Sequence, residues 1–260
     1  MISASLLTKT MTKSPYTSNF YNTYLDESRG SARSVLPHVF ELVKPHSVID
    51  VGCGVGTWLS VCLELGVSDV LGVDGDYVDK KQLLISADNF ASHDLSVDLK
   101  LDRQFDLAMS LEVAEHIPKE CAQTFVRSLT GLAPVVLFSA APPFQGGDHH
   151  VNEQWPEYWV ELFDRCGFSA YDYLRPLIWD DESVAYYYSQ NAFIYVQRDQ
   201  FHRFSDLASR KPVAKGLSRI HPRKWLEAND PRRQTLRSVL RAFPYALVKA
   251  IRLRLRQRLK

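Results

Sequence analysis

The chain has 260 residues, 45% of them hydrophobic and 23% charged, and a net charge of +1. That is room for one α/β domain plus an appendage, with a composition ordinary for a globular chain and unlike a disordered or fibrous one. No apolar run approaches the roughly 18 residues that span a bilayer, and Cys53, Cys62, Cys121 and Cys166 form no C-x-x-C pair, which argues against a zinc knuckle or disulfide framework and for a reducing, cytoplasmic setting.

Residues 1–20 are rich in Ser and Thr in their first sixteen positions, with too short an apolar core for a secretory signal, and are expected to be a disordered lead-in. Ser31 to Val43 places Val35, Val39, Leu42 and Val43 at helical spacing, and Pro45 ends that helix. Ser47 to Val51 reads as a strand. A helix begins near Gly56, carries Trp58, Leu59, Cys62, Leu63 and Leu65 on one face, and stops at Gly66. Strands follow at Asp69 to Val73, closing on Asp74, around Phe90 to His93, and at Phe105 to Ser110. A helix over Lys119 to Leu132 leads to a strand at Pro134 to Ser139 and a loop from Ala140 to Val151. Trp155 to Cys166 is a helix capped by Gly167, and the last strands cover about Ser169 to Leu174 and Ala192 to Gln197. Alternating strands and helices predict an α/β, Rossmann-like fold: a seven-stranded, mostly parallel sheet with helices on both faces. The final two strands, with no long helix between them, should form an antiparallel edge.

The first strand runs into Val48 to Gly56, VIDVGCGVG, with glycines at 52, 54 and 56. A dinucleotide turn has the pattern G-x-G-x-x-G. Here the third glycine comes one residue early, Thr57 takes its slot, and Asp50 lies inside the motif. Asp74 closes the second strand 20 residues after Gly54, where a carboxylate can accept hydrogen bonds from two ribose hydroxyls. D-x-G-x-G-x-G resembles motif I of the class I S-adenosylmethionine (SAM)-dependent methyltransferases, and FDLAMS, Phe105 to Ser110, resembles their motif IV. The succession covers about Ser31 to Arg198. The resemblance implies that Asp94 of HDL accepts from the adenine amino group and that Leu95 packs on the ring. It implies a cofactor-binding set of Asp50, Gly52, Cys53, Gly54, Gly56, Asp74, Asp94, Leu95 and Ser110.

After the fourth strand, Glu112, Glu115 and His116 stand at i, i+3 and i+4, one face of a helical turn. Two carboxylates and an imidazole suit a divalent ion. A similar stretch without metal, with the histidine as a polar wall or base, is the bland alternative. The loop QGGDHHVNEQW adds His149 and His150. The pattern resembles metal-dependent O-methyltransferases of the ubiquinone-biosynthesis type and the small-RNA 2′-hydroxyl type. The resemblance implies Glu112, Glu115, His116 and His150 as ligands to a divalent metal, magnesium or zinc. His116 and Glu115 are the expected catalytic residues, with His116 as proton acceptor.

Trp155, Trp159, Trp179 and Tyr186-Tyr187-Tyr188 offer aromatic walls for a ring or sugar face, with core packing as the plainer reading for Trp159. WDDES, Trp179 to Ser183, is a lid or a solvated loop. From Arg198 onward there are 18 Lys+Arg against 4 Asp+Glu, whereas the remainder carries an excess of acids. Leu236, Val239, Leu240 and Phe243, then Leu247, Val248, Ile251 and Leu255, lie at helical spacing on either side of Pro244. Residues 199–260 are therefore expected to be a basic, partly helical extension to a methyltransferase domain at 21–198. It suits an anionic surface, or docking on the acidic domain of its own or another subunit. Nucleic acid is a minority reading because no recognised binding module is present. The overall expectation is methyl transfer to a hydroxyl of a small molecule or glycan. An RNA 2′-O-methyltransferase and a non-catalytic SAM-binding module stand as alternatives, and a nicotinamide oxidoreductase is disfavoured by the glycine spacing.

Overall fold

The computed structural model describes residues 18–204, 210–230, 232 and 235–258. Seven strands form one sheet: β1 (Ser47–Val51), β2 (Asp69–Asp74), β3 (Phe90–Ser92), β4 (Leu107–Leu111), β5 (Val135–Ser139), β6 (Phe168–Tyr171) and β7 (Phe193–Gln197). Their order is β3-β2-β1-β4-β5-β7-β6. The first five are parallel, and β7 runs antiparallel to both β5 and β6. The antiparallel pair at one edge was expected. The structure adds that β7 lies inside it and β6 at the rim.

The central strands are buried on both faces and read as near-continuous apolar runs. Successive residues point to opposite sides. Val48, Leu107, Met109 and Leu137 join one core with Val35, Leu36 and Val39 of helix α1 (Ser18–Val43) and Leu59 and Cys62 of α2 (Thr57–Glu64). Ile49, Val51, Ala108, Val136 and Phe138 join the other. There they meet Phe125, Val126 and Leu129 of α3 (Ala122–Leu132) and Trp159 and Phe163 of α4 (Pro156–Arg165).

Helix α1 begins at Ser18, well before the expected Ser31, and carries Pro37 inside it. Residues 1–17 of the expected lead-in lie outside the described residues. The turn before Ser31 escapes an apolar-periodicity reading because, among residues 25–30, only Ser28 is buried. Small residues let the chain approach closely: a Cβ on Gly30 would come within 3.3 Å of the Ser183 carbonyl. Two short helices, α5 (Arg175–Ile178) and α6 (Tyr186–Asn191), fill the connection between β6 and β7. The Trp179–Ser183 segment between them is docked on α1, with Ser34 and Ser183 hydroxyls 2.6 Å apart.

Described residues beyond the expected boundary at 198/199 are fastened to the sheet. Val213 N–H donates to the Ala170 carbonyl of β6 at 2.8 Å, and Leu217 and His221 are buried. Arg175, itself 1% exposed, pairs with Asp172 and donates to the Leu217 carbonyl at 2.7 Å. Composition alone marks this strap as tail, but its backbone is fastened to the sheet edge. Beyond it lie α7 (Pro222–Asn229) and α8 (Leu236–Arg258). The latter runs through Pro244 as one helix, where two segments were expected.

Candidate functional site

Strand order reverses between β1, which leads outward through β2 to β3, and β4, which leads through β5 to the other edge. Connections leave such neighbours on opposite sides of the sheet and open a crevice at their carboxyl ends. Here it is a cleft of about 1020 Å³ whose walls include Gly52, Gly54, Asp74, Asp94, Glu112 and His116. A recess of about 140 Å³, reaching Asp50, Cys53, Ser28, Trp58 and Tyr188, shares Gly52, Gly54 and Glu112 with it.

The glycine turn is shaped by φ values that side chains resist. Gly52 sits at φ +91°, and a Cβ there would come within 2.3 Å of the Val113 side chain. The β1 and β4 loops therefore touch only because residue 52 has no side chain. Gly54 faces open space, with nothing within 4 Å of where a Cβ would lie. Its N–H donates to Asp74 Oδ2 at 2.7 Å, tying the turn to the end of β2. The other oxygen of Asp74 accepts from Gly75 N–H at 2.7 Å and from the Tyr77 hydroxyl at 2.5 Å. Burial, reinforced by Asp74, pushes the Asp50 carboxyl up to about 8. Asp94 is exposed at the cleft wall, where Ser96 donates to it through both Oγ and N–H and holds its carboxyl below the usual range. Leu95 is buried beside it and also lines the cleft. Gly56 and Ser110 line neither cavity. Ser110 is fully buried in β4.

The acidic turn after β4 is not the continuous helical face that i, i+3, i+4 spacing suggests. Glu112 takes φ +55°, and only Ala114–His116 form a single 3-10 turn. This kink parts the two glutamates. The Glu112 carboxylate accepts from Gln145 Nε2 at 2.6 Å and from Asn191 Nδ2 at 3.0 Å. Glu115, His116 and His150 instead come together, each offering a ligand atom within 4.8 Å of the others. The His116 and His150 rings meet edge to face at 4.8 Å. His149 faces the cleft, and His150 turns inward to Glu115.

Glu115 is 1% exposed, and neither of its oxygens accepts a hydrogen bond. Its closest basic group is His150 Nε2, 4.0 Å away. Burial, followed by the charge of Glu112, pushes its carboxyl well above the usual range, while the backbone N–H groups of Glu115 and Ala141, just outside full hydrogen-bond geometry, pull the other way. Burial, and then His150, holds His116 below the ordinary imidazole value, which favours its neutral form. An orphaned carboxylate and two imidazoles form a donor set that fits a divalent cation.

The loop after β5 supports that set. Glu153 Oε1 contacts His150 Nδ1 at 2.9 Å, which leaves Nε2 toward Glu115. Such a carboxylate fixes a ligating imidazole's orientation. Glu153 also accepts from the N–H groups of Phe144 and Gly146, while Val151 and Asn152 N–H donate to the Glu115 carbonyl. At Gly147 a Cβ would lie 2.2 Å from His150 Nε2, so the loop backbone packs directly against that ring.

Several contributors carry no motif. Tyr77 is found only by its contact with Asp74, and Asn191 reaches Glu112 across 79 residues. Glu153 lies in the histidine loop, three residues after His150, which is the one local signal available. Of the aromatic candidates, Trp159 is packed against Phe138 in the core and Tyr188 against Trp58, while Trp155 lies outside the cleft walls.

Residues 24–176 match the family model described as a methyltransferase domain. No curated protein matches the chain. Among solved structures, the sugar N-methyltransferase KedS8 from a Streptoalloteichus species is 15% identical, with a TM-score of 0.55, over 76% of this chain and 99% of that one. Streptomyces venezuelae DesVI is 14% identical, with a TM-score of 0.51, over 68% and 96%. The methyltransferase domain of bacterial CtHen1 is 20% identical over 64% and 96%, at a TM-score of 0.44. At these identities KedS8 and DesVI testify to the fold alone. The family match spans more than half of the chain, and on it the chain belongs to the class I SAM-dependent methyltransferases.

Proposed function

We propose that the chain transfers the SAM methyl group to a hydroxyl oxygen of a small molecule or glycan, with a divalent cation held by Glu115, His116 and His150. The observation that carries this reading is Glu115, buried with both oxygens unpartnered beside two imidazoles, one of which, His116, lines the cleft. In this reading the Gly52–Gly54 turn receives the methionine and ribose portions of the cofactor. Asp74 receives the ribose hydroxyls, and Asp94 with Leu95 receives the adenine. Open space at Gly54 and the position of all three in the cleft wall support it. Ser110 has no part in it, being fully buried outside both cavities.

The chemistry is a direct displacement. An acceptor oxygen attacks the methyl carbon, the C–S bond breaks with its electrons going to sulfur, and the acceptor proton must leave. Most of the rate comes from holding oxygen and methyl carbon in near-attack geometry inside the cleft. A divalent ion, when bound, supplies orientation and acidity to the acceptor hydroxyl. His116 faces both the cleft and the Glu115–His150 pair, so ligand and proton acceptor are competing uses of its ring. Without an ion, the neutral His116 is the base.

The test is methyl transfer against a panel of hydroxylated acceptors, with and without chelation and added divalent ions. Amino sugars belong in the panel because KedS8 is described as a sugar N-methyltransferase. Ion-dependent transfer to hydroxyls is expected, with loss in Glu115→Ala. Transfer that survives thorough chelation removes the cation, and modification of amines alone removes the oxygen acceptor. Calorimetry that finds NAD but not SAM binding removes the cofactor placement.

A further inference from the structure

Between Leu236 and Arg258 there are seven Lys and Arg and no Asp or Glu. This stretch is helix α8. Leu236, Val239, Leu240, Phe243, Leu247 and Ile251 recur at steps of three and four and form one stripe along it. All six are exposed, from 45% at Val239 to 75% at Leu236. At 3.6 residues per turn, Arg241, Lys249 and Arg252 fall on the opposite side. Contiguous exposed apolar surface of this kind marks an interaction site.

The charge pattern selects the partner. Packing two copies stripe to stripe would bring two cationic helices together with no acid on either. A nucleic acid would neutralise the cations and leave six large apolar side chains in water. The acids that line the groove between α4 and residues 212–215 are already engaged: Glu157 with Ser218, Glu161 with Arg165, Asp164 with Arg198. An anionic bilayer covers both sides of the helix at once, taking the stripe into the acyl boundary and the cations among headgroups. No helix among the described residues is long and apolar enough to cross a membrane, so the helix would lie in the surface plane.

We propose that α8 is an in-plane anchor for an anionic lipid surface. The chain leading to it is fastened to the catalytic body: His221 N–H donates to Gln190 Oε1 at 2.7 Å, and its ring contacts the Trp179 carbonyl at 2.9 Å. Lipid binding therefore retains the methyltransferase cleft at the membrane.

The experiment is flotation of the full chain with vesicles of phosphatidylcholine alone or mixed with phosphatidylglycerol. Two variants accompany it, Arg241→Glu/Lys249→Glu/Arg252→Glu and Leu240→Asp/Leu247→Asp, with SAM calorimetry as the check on folding. Wild-type chain should float with the mixed vesicles only. Each cation near such a surface contributes about fivefold, so the charge-reversed variant should bind at least about a hundredfold more weakly. The stripe variant should lose binding as well, and both should bind SAM as wild type does. Equal flotation with the two vesicle types overturns the proposal. So does vesicle binding that neither variant weakens, and so does RNA binding or dimerisation through α8 with no flotation.

Discussion

Two carboxylates at the carboxyl ends of strands, Asp74 closing β2 and Glu115 following β4, are treated oppositely. Asp74, at the end of β2, has each oxygen met by a backbone N–H, with a phenol added to one of them. Glu115, after β4, has neither oxygen in a formed hydrogen bond and is almost wholly buried. Backbone donors are a permanent feature of a turn and do not depend on a ligand. A buried acid without donors must bind a proton or a cation. Under the proposed function, the difference suits Asp74 to neutral hydroxyls and Glu115 to a charge supplied from outside.

The most severe way to break this contrast is to remove the turn that satisfies Asp74. Gly52→Ala puts a Cβ at φ +91° against Val113. A left-handed non-glycine residue costs roughly 1–2 kcal/mol and overpacking another 1–3 kcal/mol. The total of roughly 2–5 kcal/mol corresponds to about 2–4 °C of Tm per kcal/mol in a domain this size. Thermal unfolding and SAM calorimetry should both register the loss. A stable variant with unchanged SAM affinity would mean that the Gly52–Val113 approach is dispensable.

The Glu115 side is sharpened by adding the charge. A divalent ion at about a hundred times its dissociation constant stabilises the folded state by about 2.7 kcal/mol. Wild-type Tm should rise accordingly on adding the ion. Glu115→Gln should lose that rise, yet unfold no earlier than wild type in chelator, because an amide there replaces an acid with no donors. Identical responses of the two proteins would detach the Glu-His-His cluster from metal binding.

Asp50 stands between the two cases. Its carboxyl is raised from 3.8 to about 8, first by burial and then by Asp74. The folded state then holds a proton that the unfolded chain has released. This contribution is complete below pH 4 and is lost as pH rises through 8. Stability should fall across that window by up to about 1.4 kcal/mol per pH unit. Asp50→Asn should flatten the decline, measured as Tm against pH without cofactor. An unchanged slope would assign the decline to other groups.

The parts of this arrangement that were readable beforehand are those with a local signature. Val48–Gly56, the strand-ending Asp74 and the alternation of apolar runs are properties of short windows, and the parallel sheet follows from them. The site after β4 was legible only in its residue types. Spacing grouped Glu112 with Glu115, but a left-handed residue at 112 breaks the helical phase and hands its carboxylate to Gln145 and Asn191. No window containing Glu112 reveals an amide 79 residues away. Early α1 was hidden for a related reason: among residues 25–30 the one buried residue is Ser28, which lacks the apolar signal that helix reading depends on.

The smallest effect tests whether Asp74 is as ready for a ligand as its donors suggest. Tyr77 is 79% exposed, yet its hydroxyl donates to Asp74 Oδ1 at 2.5 Å. A solvent-exposed phenol contributes a net hydrogen bond of only about 0.5–1.5 kcal/mol. If ribose hydroxyls use the same oxygen, they must displace or share that bond. Tyr77→Phe should therefore leave Tm nearly unchanged and tighten SAM binding by up to about tenfold, the equivalent of about 1.4 kcal/mol. Weaker binding in the variant would show that Tyr77 is itself part of the cofactor's surroundings. Asp74 would then present a three-donor cradle completed by the phenol, and the contrast with Glu115 would be deeper than the backbone donors alone make it.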